Sequence, residues 1–199
     1  MRHGRTLHNL KKSLEPGHVY RRSDLASLST NIDRHLASLV AEGSLKKLSQ
    51  GLYSAPKTTP FGEALPDAQS LIRTFLKDDH FVVYSLSQFN SLELGTTQLY
   101  NQQVVFNRKR LGEFTLGGRT YTFHRWREAP KQLTAEFLVV ELLNHLNELA
   151  EDRDQILVRL KEKIKQFNRR KLHYAAAHYG TISTQKCLAS IMAGAENTL

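Results

Sequence analysis

Thr30, Asn31, Arg34, His35 and Ser38 are spaced to lie along one side of a short helix. Their chemistry is directional hydrogen bonding. An asparagine amide can bond bidentately to an adenine edge, an arginine guanidinium to a guanine edge, and a serine hydroxyl to either. Arg21, Arg22 and Ser23 stand at a helix start, where free backbone N–H groups and the helix dipole add to side-chain charge and suit a phosphate. Lys46, Lys47 and Gln50 flank a turn further on, within reach of a nucleic-acid backbone or minor groove.

The elements that must position these residues are legible in Gly17–Pro56. Leu7, Leu10 and Leu14 define a first amphipathic helix that ends at Pro16-Gly17. Val19-Tyr20 is extended. Ser23 is suited to cap a short helix carrying Leu25 and Leu28. Thr30 and Asp33 have the spacing of a shortened capping box, so Asp33 is expected to cap. Ile32, Leu36, Leu39 and Val40 then share one helical face, and Gly43 stops it. Leu45 to Leu48 and Leu52 to Ser54 read as the strands of a hairpin turning at Ser49-Gln50-Gly51. Such a hairpin is too short to stand alone. Leaning on the helices, it predicts a winged helix-turn-helix, with the third helix able to enter a major groove.

Charge agrees with that placement. The net charge of +9 is concentrated in residues 1–57, where ten Lys and Arg face four Asp and Glu. Residues 58–199 carry eighteen against fifteen. A basic amino-terminal segment suits a polyanionic partner. The single cysteine, Cys187, permits no intrachain disulfide and favours a reducing, cytoplasmic setting. The polar start MRHGRTLHNLKK lacks a signal-peptide core, and no apolar run approaches the roughly 20 residues needed to span a bilayer, so no membrane role is expected.

The second half predicts a mixed α/β domain with a helical end, giving an α+β protein divided into residues 1–57 and 58–199. Lys57 to Pro66 reads as a linker or extended arm. Helical patterns cover 68–76, 85–94, 133–149, 156–167, 172–179 and 185–192. Strands are expected at 81–84 and 103–107, and a hairpin at 113–126 turns on Gly117-Gly118. Arg159, Lys161, Lys163, Lys165, Arg169, Arg170 and Lys171 read as the basic face of one amphipathic helix, suited to phosphate or to an acidic patch on a protein.

No spacing supports a metal centre or nucleophile, so the chain is expected to be no enzyme and to need no cofactor. Glu141 and His145 stand four apart, a spacing typical of an exposed pair. His173 and His178 do not share a helix face. Cys187 lies on an apolar pattern and reads as a small buried hydrophobe.

The stretch LVAEGSLKKLSQGLYSAP is similar to the winged helix of AbiEi-type antitoxins of bacterial type IV toxin–antitoxin (abortive infection) systems. It has the same succession of helix, glycine, basic strand, Gly-x-Tyr and Pro-containing arm. VVYSLSQFNSLELGTTQLYNQQVVFN, the Gly-Gly hairpin ending in Phe123–Trp126, and HYAAAHYGTIST resemble later parts of that family more loosely. The resemblance implies a repressor of its own operon that neutralises a nucleotidyltransferase-type toxin. It carries DNA contacts to Arg21, Arg22, Ser23, Thr30, Asn31, Arg34, Ser38, Lys46 and Lys47. The expected partners are therefore double-stranded operator DNA and a cognate toxin. The alternatives are a protein-interaction module without DNA affinity, or a metal-dependent nuclease drawing carboxylates from the second half.

Overall fold

Apolar residues at helical spacing build the amino-terminal layer. A computed structural model describes residues 2–128 and 130–196. Three helices, α1 (Arg2–Lys12), α2 (Arg22–Leu25, continued by a 3-10 turn Ala26–Leu28) and α3 (Ile32–Ala41), converge on Leu10, Leu25, Ile32, Leu36 and Leu39. Strands β1 (Val19–Arg21), β2 (Lys46–Ser49) and β3 (Leu52–Ser54) form an antiparallel sheet in the order β1-β3-β2. Alternation along the strands sends side chains to opposite faces. Tyr20 and Tyr53 pack toward the helices, while Val19, Leu48 and Leu52 join a second core on the other side.

That second core belongs to α4 (Ala68–Leu76) and a four-stranded sheet. The sheet comprises β6 (Phe81–Ser85), β7 (Gln103–Asn107), β8 (Gly112–Leu116) and β9 (Arg119–Arg125), in the order β6-β7-β9-β8. Leu71, Ile72, Val105, Leu116, Tyr121 and Phe123 fill it. Gly117 and Gly118 both have positive φ, 60° and 81°, as the tight β8–β9 turn requires. The Gly117 amide donates to the Leu48 carbonyl at 3.1 Å, so this turn covers part of the exposed edge of β2.

The carboxyl end of α4 is held by two cations. The last carbonyls of a helix have no partner within it. Arg21 Nε donates to the Thr74 carbonyl at 2.6 Å, and its Nη2 donates to the Phe75 carbonyl. Lys109 Nζ donates to the Leu76 and Lys77 carbonyls at 3.0 and 2.6 Å. Positive charge at a helix C-terminus also meets the negative end of its dipole. Asp78 completes the corner. Its carboxylate accepts from the His80 amide at 3.0 Å and lies 3.6 Å from both Arg108 and Lys109. The His80 amide bond chiefly holds the Asp78 pKa down to about 2. Burial opposes this, and the His80 side chain, Lys109 and Arg108 assist.

A second compact unit comprises Tyr84–Val104 and Pro130–Leu199. Its helices are a 3-10 segment Leu86–Leu92, α5 (Ala135–His145), α6 (Arg153–Lys163, continued by a 3-10 turn Ile164–Gln166), α7 (Arg169–Tyr179) and α8 (Ile182–Glu196). Helix α5 is buried on all sides from Glu136 to Leu142. The α+β class and the helical end are as the sequence suggests.

Several local expectations need correction. The first unit combines Met1–Val83 with Val105–Ala129, so the compact parts do not separate at residue 57. Lys57–Pro66 is no plain linker. It forms a hairpin, β4 (Lys57–Thr59) against β5 (Gly62–Ala64), with Phe61 fully exposed at its tip. Leu28 is exposed, because its turn is 3-10 rather than α-helical. Ser23 and Thr30 do not serve as the expected caps. The Asp24 carboxylate accepts the Arg21 amide at 3.0 Å, and Asn31 occupies the N-cap position of α3.

Replacing Arg21 by alanine should lower unfolding free energy by roughly 2–3 kcal/mol in urea titration, the range for hydrogen bonds to a charged donor. A fragment of residues 1–57 should show no cooperative transition, since it exposes Val19, Leu48 and Leu52. Asp78→Asn tests the corner by pH. A depressed folded pKa stabilises above the unfolded value, about 3.9. The stability deficit of the variant should be full above about pH 4.5 and shrink as pH falls toward 2.

Candidate nucleic-acid interface

Thr30 and Asn31, just before α3, and Arg34 and Ser38 on it are exposed, while Ile32, Leu36 and Leu39 are buried. The Arg34 guanidinium makes no ion pair among the described residues. The Ser38 hydroxyl donates back to the Arg34 carbonyl at 3.1 Å. His35 does not belong to this face. It is 5 % exposed, with Nδ1 2.8 Å from Ser29 Oγ. The same Ser29 oxygen accepts the Asn31 amide at 3.1 Å. His35 therefore holds the turn that leads into α3 instead of reaching outward.

Two arginines expected to meet phosphate are engaged by the protein. Arg21 is spent on the end of α4. Arg22 forms a two-pronged pair with Asp33, at 2.6 and 2.7 Å, that ties α2 to α3. That contact raises the Arg22 pKa and lowers the Asp33 pKa, chiefly through the side-chain hydrogen bond. Asp33 thus pairs with a cation and caps no amide. Both side chains are exposed, so salt screens the pair and its net effect on stability is small. Ser23 is exposed, and its hydroxyl donates to Asp24 at 3.1 Å.

On the hairpin, Lys46 binds Glu63 of β5 at 3.1 Å. Lys47 and Gln50 are exposed, and neither makes a side-chain hydrogen bond or ion pair among the described residues. The Arg22 amide donates to the Gly51 carbonyl at 2.9 Å, which fixes the hairpin turn beside the start of α2. Of the residues expected to meet DNA, Thr30, Asn31, Arg34, Ser38, Lys47 and Gln50 are therefore exposed.

The carboxyl-terminal basic cluster is not one helix. Arg159, Lys161 and Lys163 lie on α6, Lys165 on the 3-10 turn, and Arg169, Arg170 and Lys171 on the first turn of α7. Phe167 is extended and Asn168 caps α7, its side chain accepting the Lys171 amide at 3.1 Å. Lys163 pairs with Glu93 at 2.7 Å, and Arg159 packs over Gly95.

Sequence spacing missed one buried group. Glu141 and His145 are no exposed pair: Glu141 is 1 % exposed. Its carboxylate accepts from Tyr84 Oη at 2.6 Å and Asn144 Nδ2 at 2.8 Å. Asn144 also donates to the Tyr179 carbonyl and accepts the Thr181 amide, so the cluster joins α5 to the α7–α8 turn. Burial pushes the Glu141 pKa up, against the lowering effect of Tyr84, His145 and Asn144. The nearly unbroken apolar run Phe137–Leu143 was the available signal, because a helix apolar all round is a buried one. Cys187 is half-buried, and burial raises its thiol pKa. Among the described residues, no three His, Cys, Asp or Glu side chains converge as a metal site needs, and no helix is long and apolar enough to cross a membrane.

His35→Ala should cost about 2–3 kcal/mol of unfolding free energy, through a cavity and the lost hydrogen bond to Ser29. Arg34→Ala on the same helix should change it by less than about 0.5 kcal/mol, as an exposed substitution does. Tyr84→Phe should cost about 1–3 kcal/mol by removing a donor from a buried carboxylate. Urea titrations of the three variants check all of these.

No protein-family model and no curated protein matches the sequence. A solved structure does resemble the fold. The crystal structure of the RV2827C protein from Mycobacterium tuberculosis superposes with a TM-score of 0.61, at 14% identity, over 96% of this chain and 76% of that one. At that identity the likeness is one of fold.

Proposed function

We propose that this protein is a sequence-specific DNA-binding transcriptional regulator. In this reading residues 17–56 act as a winged helix-turn-helix, with α3 as the recognition helix and the Ser49–Gly51 turn as the wing. The observation that carries it is Arg34. A guanidinium stands exposed on a helix whose opposite face is fully buried, with Asn31 and Ser38 beside it. Base-edge readout uses such donors on a rigid helix. Lys47 and Gln50 supply backbone or minor-groove contacts from the hairpin. The roles of Arg21, His35 and Lys46 pass to the fold: they position the reading surface and do not touch DNA.

The resemblance in Gly17–Pro56 extends this reading to an autorepressing cytoplasmic antitoxin that neutralises a nucleotidyltransferase-type toxin. In that role the second unit would serve neutralisation or self-association.

Anisotropy titration with duplex DNA from upstream of the gene tests the DNA reading. Neutralising about four to six phosphates gives a slope of log K against log salt of about −4 to −5. Arg34→Ala should cost roughly 1–3 kcal/mol on the preferred sequence and flatten sequence preference. Lys47→Ala should weaken all duplexes alike and reduce the slope by about 1. Absence of binding at low salt removes the reading. The toxin role is checked by co-expression with the product of the adjacent reading frame, whose growth inhibition the protein should relieve.

A further inference from the structure

The break between α6 and α7 opens a cleft of about 440 Å³ in the second unit, lined by Ile164, Lys165, Phe167, Arg169, Leu172, Met192 and Ala195. Its floor is apolar: Ile164, Leu172 and Met192 are each less than 9 % exposed. The extended residue Phe167 interrupts the helices, so Lys165 and Arg169 flank the cleft from separate elements. A cleft of this volume lies within the range of small-ligand sites, which are mostly apolar with a few polar groups that fix orientation.

From this arrangement we infer a binding site for an amphipathic monoanion, specifically a long-chain carboxylate. Its chain would lie on Ile164, Phe167, Leu172 and Met192, and its headgroup would meet Lys165 and Arg169. Charge selects the headgroup. Lys161, Arg170 and Lys171 are exposed nearby and pair with no acid among the described residues, and Glu162 is the one acidic residue between 159 and 171. Their summed field favours an anion over a neutral or cationic head. Among the described residues the floor side chains Ile164, Leu172 and Met192 offer no polar partner for a hydrophilic ligand such as a sugar. Phosphate backbone alone would leave the apolar floor uncovered. This site is independent of the DNA reading.

Isothermal titration of the full chain with sodium octanoate, decanoate, laurate and myristate, each kept below its micellar concentration, tests the site. Each added methylene should tighten binding about three- to fourfold until the cleft is filled. Dodecanol and dodecyltrimethylammonium should bind at least tenfold more weakly than laurate. Lys165→Glu should weaken laurate at least tenfold. Ala195→Phe, which fills the cleft, should abolish binding while leaving the thermal transition in place. If the Ala195 variant does not fold, Met192→Gln, which puts a polar group on the floor, takes its place and should weaken laurate. No saturable binding of monomeric laurate overturns the inference. So does binding that both cleft variants retain, or binding only to phosphatidylglycerol vesicles. The anisotropy titration with upstream DNA, run in parallel, reports on the DNA reading separately.

Discussion

The end of α4 is the point on which the amino-terminal half depends. Four consecutive carbonyls, from Thr74 to Lys77, accept from Arg21 on β1 and from Lys109 between β7 and β8. A buried helix end without partners would be costly, because each unpaired polar group loses its water. Here a strand of one sheet and the β7–β8 loop of the other supply the donors. The small sheet of residues 19–54 and the larger sheet beyond residue 80 are thereby fixed to the same helix terminus. The same three-stranded sheet is apolar on both faces, one meeting α1–α3 and the other meeting α4 and β8–β9. An amino-terminal module built this way borrows its rigidity from the chain that follows it.

Rigidity matters for any helix that reads a duplex. Angstrom-scale displacement of a donor loses a bidentate contact, so in the proposed reading the surface around Arg34 has to be held from behind. Three links do this: Arg22 to Asp33, Ser29 with His35, and the Arg22 amide to Gly51. Only the first of these joins two charges and is screened by salt. The backbone bond to Gly51 and the buried Ser29–His35 contact are not ion pairs. The buried Ser29–His35 contact holds the entry into α3 from within the protein.

Much of this was legible in the sequence, for a definite reason. Elements whose own residues specify them were readable: the 3.6-residue spacing of Ile32, Leu36 and Leu39, the Gly117-Gly118 turn, and the helix from Ala68 to Leu76. What sequence could not show was pairing at a distance. Arg21 looks like a phosphate ligand because its partners lie 53 and 54 residues on. Lys57–Pro66 looks like a linker because Pro60 and Gly62 mark a turn without showing that two strands flank it. Glu141 looks exposed because one helical face predicts its own burial, not that of the face behind it. The basic run 159–171 looks like one helix because nothing in its spacing shows the stop at Phe167 and Asn168.

Charge makes the same distinction in another form. Long-range attraction sums over all charges, whatever each one touches, so the excess in residues 1–57 attracts a polyanion whether or not its cations are paired. Contact chemistry is different, because it needs donors that the fold has not already used. Lys11 pairs with Glu42, Arg22 with Asp33 and Lys46 with Glu63, while Arg21 is bound to backbone. The net charge counts all four, although Arg21 is held by backbone and the other three already face an acid. Arg34 and Lys47 gain weight as contact residues by that subtraction. The expected phosphate count falls with it, toward the lower end of the range that the bare charge suggests.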